Sequence, residues 1–117
     1  MSLTPRMPAG TIRPEHVGGD VDVYGWVHRR RDLGGLIFID LRDRSGIVQV
    51  KFDPVQAQAH AIGGELRLES VIHVRGPVQR RPRGTENKEL ATGEVEVEAR
   101  DVTLLNRAQP PDRKSVV

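Results

Sequence analysis

Three consecutive arginines, Arg29, Arg30 and Arg31, close one run of alternating apolar residues. Beyond the turn Asp32-Leu33-Gly34-Gly35, the next run carries Phe38 on its polar side. Cationic side chains beside a lone outward aromatic suit a single-stranded nucleic acid, because phosphates are drawn to charge and an unpaired base stacks on a flat apolar surface. Phe38 alternates with Ile37 and Ile39, so if those two fill an interior, Phe38 faces away from it. A base on such a ring is worth on the order of 1–3 kcal/mol. Gln49, outward on the following run, offers a donor and an acceptor and can read a base edge that carries both. Arg31 stands nearest the turn, and its planar fork can donate to two acceptors at once, which Lys cannot imitate. Arg29 and Arg30 suit phosphate or an internal carboxylate such as Asp32 or Asp43. The plainer readings are a solvated strand end for the arginines and a place beneath a loop or the leader for Phe38.

A second basic cluster, Arg80, Arg81 and Arg83, opens a long polar stretch that ends at Gly93. Glu94, Glu96 and Glu98 follow on one side of a run. Two of them read as solubilising charges on an edge strand, and one can accept protons from a guanine edge. Lys88 and Glu89 read as loop surface. Enzyme patterns are missing: RDLGGL lacks the spacing of a phosphate-cradling loop, and no Ser, His and acid arrangement stands out. Asp40 and Asp43 fall on different sides of their strand, which disfavours a paired carboxylate site.

The elements that must hold these residues follow from the alternation. Strand one starts at Val21, with Val23, Gly25 and Val27 inward and Tyr24, Trp26 and His28 outward. Strand two has Ile37, Ile39 and Leu41 inward. Asp43-Arg44-Ser45-Gly46 turns the chain into strand three, with Val48, Val50 and Phe52 inward and Ile47, Gln49 and Lys51 outward. Asp53 as cap and Pro54 at the first helical position predict a helix over Val55 to Ile62, with Gly63-Gly64 leaving its end open. Strand four covers Ser70 to Gln79. Strand five begins with Val95, Val97 and Ala99 inward, and its phase slips at Val102 and Leu104, which predicts a bulge near Arg100 or Asp101. Three strands, a helix and two strands suggest an all-β protein with one short helix: a five-stranded Greek-key OB-fold barrel, helix between strands three and four. In that architecture strands two and three, with the loops joining one to two and four to five, bind oligonucleotides. These are the places that hold Phe38, Gln49 and both basic clusters.

The chain has 117 residues, 18 Lys and Arg, and a net charge of +2. That length suits one domain and is too short for a core plus a catalytic lobe. Local charge, more than the total, would draw in a polyanion. The sequence has no Cys, hence no disulfide or thiolate metal site, and its four His residues show no ligand spacing. No apolar run reaches membrane-spanning length, and the start lacks a signal-peptide stretch, so a soluble cytoplasmic protein is expected. Residues 1–16 read as an extended leader, 17–106 as the barrel and 107–117 as a linker or tail.

GWVHRRRDLGGLIFIDLRDRSGIVQVKFDP, followed by ATGEVEVEA and LLNRA, closely resembles the N-terminal anticodon-binding domain of bacterial aspartyl-tRNA synthetases, from about His16 to Ala108. GWVxxRRDxGxxxFxDLRD alone marks the wider class IIb group, and NKELATGEVEVEA leans to the bacterial aspartyl type. The resemblance implies that Phe38 stacks on the middle anticodon uridine and that Gln49 hydrogen-bonds it. It implies that Arg31 contacts anticodon bases, and that Arg81 and Glu96 help to recognise the first base, a guanine or its queuosine derivative. Thr85 and Asn87 lie in the loop that approaches the third base, and Arg29, Arg30, Arg80 and Arg83 can supply phosphate or loop contacts. Leu33 stands where some members have His, and leans toward tRNA(Asp) over tRNA(Asn). The family's class II catalytic domain, with its ATP and Mg, has no counterpart before PPDRKSVV, so the chain is expected to need no cofactor and to bind a tRNA(Asp) anticodon stem-loop without charging it. Full-length relatives are homodimers, with a monomeric state open to the isolated domain. The alternative is a general single-stranded nucleic-acid-binding OB module without tRNA specificity.

Overall fold

Val21, Val23 and Val27, the apolar side of the first run, are buried together with Ile37, Ile39, Leu41, Val48, Val50 and Phe52. One curved sheet encloses them, because side chains of alternate residues share a face. The computed structural model describes residues 5–106. Its strands are β1 (Asp20–Leu33), β2 (Leu36–Asp43), β3 (Gly46–Phe52), β4 (Val71–Arg80), β5 (Val95–Glu98) and β6 (Asp101–Asn106), with helix α1 (Ala57–Glu65) between β3 and β4. The hydrogen-bonded order is β1-β2-β3-β5-β4-β6, and an added β1–β4 pairing closes the barrel. All neighbours are antiparallel except β3 and β5.

The fifth strand of the expected barrel is present in two pieces. Its interruption falls at Ala99 and Arg100, beside the predicted bulge, where Ala99 N–H donates to Lys51 O and Arg100 N–H to Arg75 O. The chain passes so close there that a Cβ on Gly76 would lie 1.7 Å from the Glu98 carbonyl oxygen. Only Gly admits that crossing.

β1 is longer than its alternation predicts and carries all three arginines. A register shift between Val27 and Arg29 bends it, so that its first half pairs with β4 and its second with β2. Bulges commonly bend a strand in this way at barrel rims. Downstream of the shift, Arg31 stands opposite Phe38 and Arg30 opposite Ile39.

Two expectations are corrected. The leader is not merely extended: its described part bridges β1 through Arg6 and Asp22, then forms short 3-10 turns at Ala9–Thr11 and Pro14–His16. Ala9 and Ile12, three residues apart, are fully buried in the core. Apolar residues too few to show a period still fill the barrel end. The helix starts after Gln56, because Asp53 Oδ1 accepts from Val55 N–H in a turn instead of capping the helix. It also runs through Gly63, where a Cβ would lie 2.6 Å from the Phe52 ring. Residues 107–117, expected as a tail, lie outside the described residues.

Candidate nucleic-acid interface

The bend of β1 brings Arg31 over the outer face of β2, with its guanidinium carbon 5.8 Å from the Phe38 ring centroid. Phe38 is half-buried and faces outward, as alternation with the buried Ile37 and Ile39 requires. Register then continues the face sideways: Asp40 lies opposite Gln49 on β3, and Gln49 opposite Glu96 on β5. Across these strands runs a chain of polar contacts. Arg31 Nη2 donates to Gln49 Oε1 at 2.7 Å, and Gln49 Nε2 donates to Glu96 Oε1 at 2.8 Å. Asp40 Oδ1 lies 3.7 Å from Arg31 Nη2, and Lys51 Nζ lies 3.7 Å from Glu96 Oε2.

Arg81 enters this face just past the end of β4. Its Nε donates to the Val95 carbonyl at 3.1 Å and its Nη1 to the Thr85 carbonyl at 3.4 Å. Its Nη2 is buried with no hydrogen-bond partner among the described residues. Burial pushes the guanidinium pKa down, against the pull of Glu96 and Asp40. A buried donor without an acceptor is costly, and such a group in a cleft calls for a ligand or a water.

Arg31, Phe38, Gln49, Arg81 and Glu96, the five residues expected to read bases, all line one cavity of about 160 Å3. Leu33, Pro82 and Thr85 complete its wall. Arg81 also lines a second cavity, of about 550 Å3, with Arg80, Asn87 and Lys88. The remaining cations are dispersed. Arg29 is exposed on the outer face, and Arg83 is exposed in the loop between β4 and β5. Arg30 turns to the other side, where its Nη2 meets Asp32 Oδ2 at 3.0 Å. Thr85 holds the loop by donating from Oγ1 to the Pro82 carbonyl.

The glutamates depart from the expectation. Glu94 is exposed, but Glu96 is 1% exposed and Glu98 is buried. β5 is no edge strand: it lies between β3 and β4, which cover its outer face with Gln49, Lys51 and Gln79. Gln49 also differs, for although it faces outward it is 5% exposed, because Arg31 lies across its amide. Sequence reasoning missed Asp40 and Lys51 as members of the network. Lys51 shares the outward parity of Gln49, but its approach to Glu96 depends on the parallel β3–β5 pairing. Among the described residues no group of three or more His, Asp or Glu is arranged to hold a metal ion. No helix among them is long and apolar enough to cross a membrane.

A family model described as an OB-fold nucleic acid binding domain matches residues 21–105. The chain is 53% identical over 103 residues to an aspartate–tRNA(Asp/Asn) ligase of Rubrobacter xylanophilus, and 56% identical over 102 residues to one of Moorella thermoacetica. These alignments cover 88% and 87% of this chain and 17% of each relative. The chain thus spans about a sixth of the length of the curated relatives it matches. Among solved structures, asparaginyl-tRNA synthetase of Pyrococcus horikoshii complexed with asparaginyl-adenylate superposes with a TM-score of 0.74 at 23% identity, over 91% of this chain and 23% of that one. That likeness concerns the fold.

Proposed function

The chain belongs to the OB-fold nucleic acid binding domain family, and from that premise we propose that it is an anticodon-reading module for tRNA(Asp), recognising a GUC or QUC anticodon. One observation carries the reading: a single cavity gathers an aromatic ring, an amide, two guanidiniums and a carboxylate. Phe38 supplies the stacking surface for the middle base, a uridine, and Gln49 its polar contact. Arg31 reaches both of these groups and contacts the bases beside them. Arg81, with its unpartnered Nη2, and Glu96, whose oxygens keep free lone pairs, face the first base, a guanine. Guanine O6 and N7 are acceptors for an arginine fork, and its N1–H and amino group are donors for a carboxylate. The curated relatives are ligases of tRNA(Asp/Asn); in this reading the present domain contributes tRNA selection, and binding needs neither ATP nor a metal ion.

The test is titration of anticodon stem-loops at fixed salt. Phe38→Ala and Gln49→Ala are expected to weaken binding of the GUC stem-loop roughly 5- to 100-fold, and of a scrambled loop much less. Equal losses on both RNAs, or equal affinity of the native chain for a poly-pyrimidine strand, would reject base-specific reading and leave a general single-strand binder. Leu33, at the cavity wall and 55% exposed, is assigned preference for tRNA(Asp) over tRNA(Asn). Equal affinity for GUC and GUU stem-loops would instead assign the domain to both.

A further inference from the structure

Gln49 is chemically symmetric in shape but not in its surroundings. An amide can turn end over end with almost no change in volume, and a Gln free to do so reads a donor or an acceptor equally. Here its two ends meet groups of opposite character. Glu96, a carboxylate, has only acceptors to offer, and the Lys51 ammonium at 3.7 Å partners that charge. The amino end of Gln49 must therefore face Glu96, across the 2.8 Å contact. The carbonyl end is left toward the cavity, where Arg31, which has only donors, holds it at 2.7 Å.

We infer that Glu96 has a second duty as a positioning residue: with Lys51 behind it, it locks the Gln49 amide so that an acceptor faces the bound base. This rests on the reading of Gln49 as a base contact. Arg31 is partly exposed on the cavity side, whereas Glu96, 1% exposed, lines the cavity from beneath the amide, so the lock persists when a base displaces Arg31. An amide oxygen has two lone pairs, so Oε1 can also accept from Arg31 and a base together. What Oε1 selects is a base with a ring N–H on the edge it meets. Uracil carries one at N3, and cytosine carries a bare acceptor there. The device thus discriminates between two pyrimidines of nearly equal size, which stacking on Phe38 cannot do because every base has a π-face.

The experiment compares Kd of the 117-residue chain for stem-loops with uridine, cytidine or 3-methyluridine in the middle anticodon position, for the native protein and for Glu96→Gln. The native chain is expected to favour uridine over cytidine by roughly 10- to 100-fold. The substituted side chain would present both a donor and an acceptor, so Gln49 could turn, and the ratio is expected to fall to within about threefold. A ratio that survives Glu96→Gln, with affinity for both RNAs lowered alike, overturns the inference and leaves Glu96 a purely structural group. A changed preference at the first anticodon position with the middle ratio intact also overturns it, in favour of direct reading alone. Should the variant fail to fold, the native chain still decides: 3-methyluridine must bind no better than cytidine, and binding equal to uridine defeats the lock. If the native chain does not separate uridine from cytidine at all, the base-reading assignment of Gln49 falls first, and the lock with it.

Discussion

At Arg81 charge and shape can be separated. Its guanidinium is anchored through Nε and Nη1 to two backbone carbonyls, which leaves Nη2 as the arm without a partner. Arg81→Lys keeps the cation and loses the fork. Discrimination of guanine over adenine at the first anticodon position is expected to fall by about 1–3 kcal/mol, while affinity for the adenine-bearing RNA changes little. Parallel stem-loop titrations would measure this: unchanged affinity for both RNAs would show that Arg81 supplies only charge, and a uniform loss on both would show that it only anchors the loop through the Val95 and Thr85 carbonyls. Phe38 and Gln49 were legible from parity, because in a strand the residue number modulo two decides the face. Arg31 was legible only from its place beside the turn, since parity counted from Val27 would turn it inward and the register shift between Val27 and Arg29 is what brings it to the outer face. The burial of Glu96 was not legible. It depends on β3 running parallel to β5, a pairing between residues 47 positions apart that no local pattern encodes. The same non-local register hid Lys51, which in isolation is an ordinary outward lysine.

Between β2 and β3, Asp43 joins elements that are distant in sequence. Its Oδ2 accepts from Ala9 N–H at 2.8 Å, and its Oδ1 accepts from the Ser45 backbone N–H at 2.8 Å and from the Ser45 hydroxyl. One carboxylate thereby ties the leader to the hairpin turn. Partial burial pushes its pKa up, but these hydrogen bonds outweigh it and hold the group below the ordinary carboxylate value. A carboxyl depressed in the folded state stabilises fully above its unfolded pKa, near 3.9, and stops stabilising as pH falls through the lower folded value. Asp43→Asn is expected to cost about 1–2 kcal/mol at neutral pH. The difference between native and variant unfolding free energies should be flat above about pH 5 and shrink below about pH 4. Denaturant melts from about pH 2 to about pH 7 would show it. Asp22, also depressed because bonds from Arg75 and His73 outweigh its burial, is common to both proteins and cancels. A constant difference across the range would assign the loss to shape alone. The succession of strands along the chain and the interrupted last strand were legible because alternation and its phase slip are local. The buried leader was hidden, since two apolar residues in a proline-rich stretch make no period.

Over the molecule as a whole, a net charge of +2 conceals a division of labour among the cations. Those in or beside the cavity are tied into polar contacts: Arg31 with Gln49 and Asp40, Lys51 with Glu96, Arg81 with backbone carbonyls. Arg29 and Arg83 are exposed and have no ion-pair partner among the described residues. Exposed cations attract phosphate through counterion release, which is blind to sequence and weakens with salt, whereas a stacked base releases none. The two contributions therefore separate in a salt titration. Plotting log K against log salt for the GUC stem-loop, Arg29→Gln and Arg83→Gln are each expected to make the slope shallower by about 0.7 for every phosphate the arginine neutralises. Both should lower affinity for matched and scrambled RNAs by similar factors. Phe38→Ala should leave the slope in place and shift the intercept for the matched RNA alone. If Phe38→Ala flattened the slope instead, the ring would be holding cations in position without stacking on a base. If neither arginine changed the slope, the backbone of the RNA would run elsewhere, over the cavity lined by Arg80 and Lys88, and the same titration on variants of that pair would trace it.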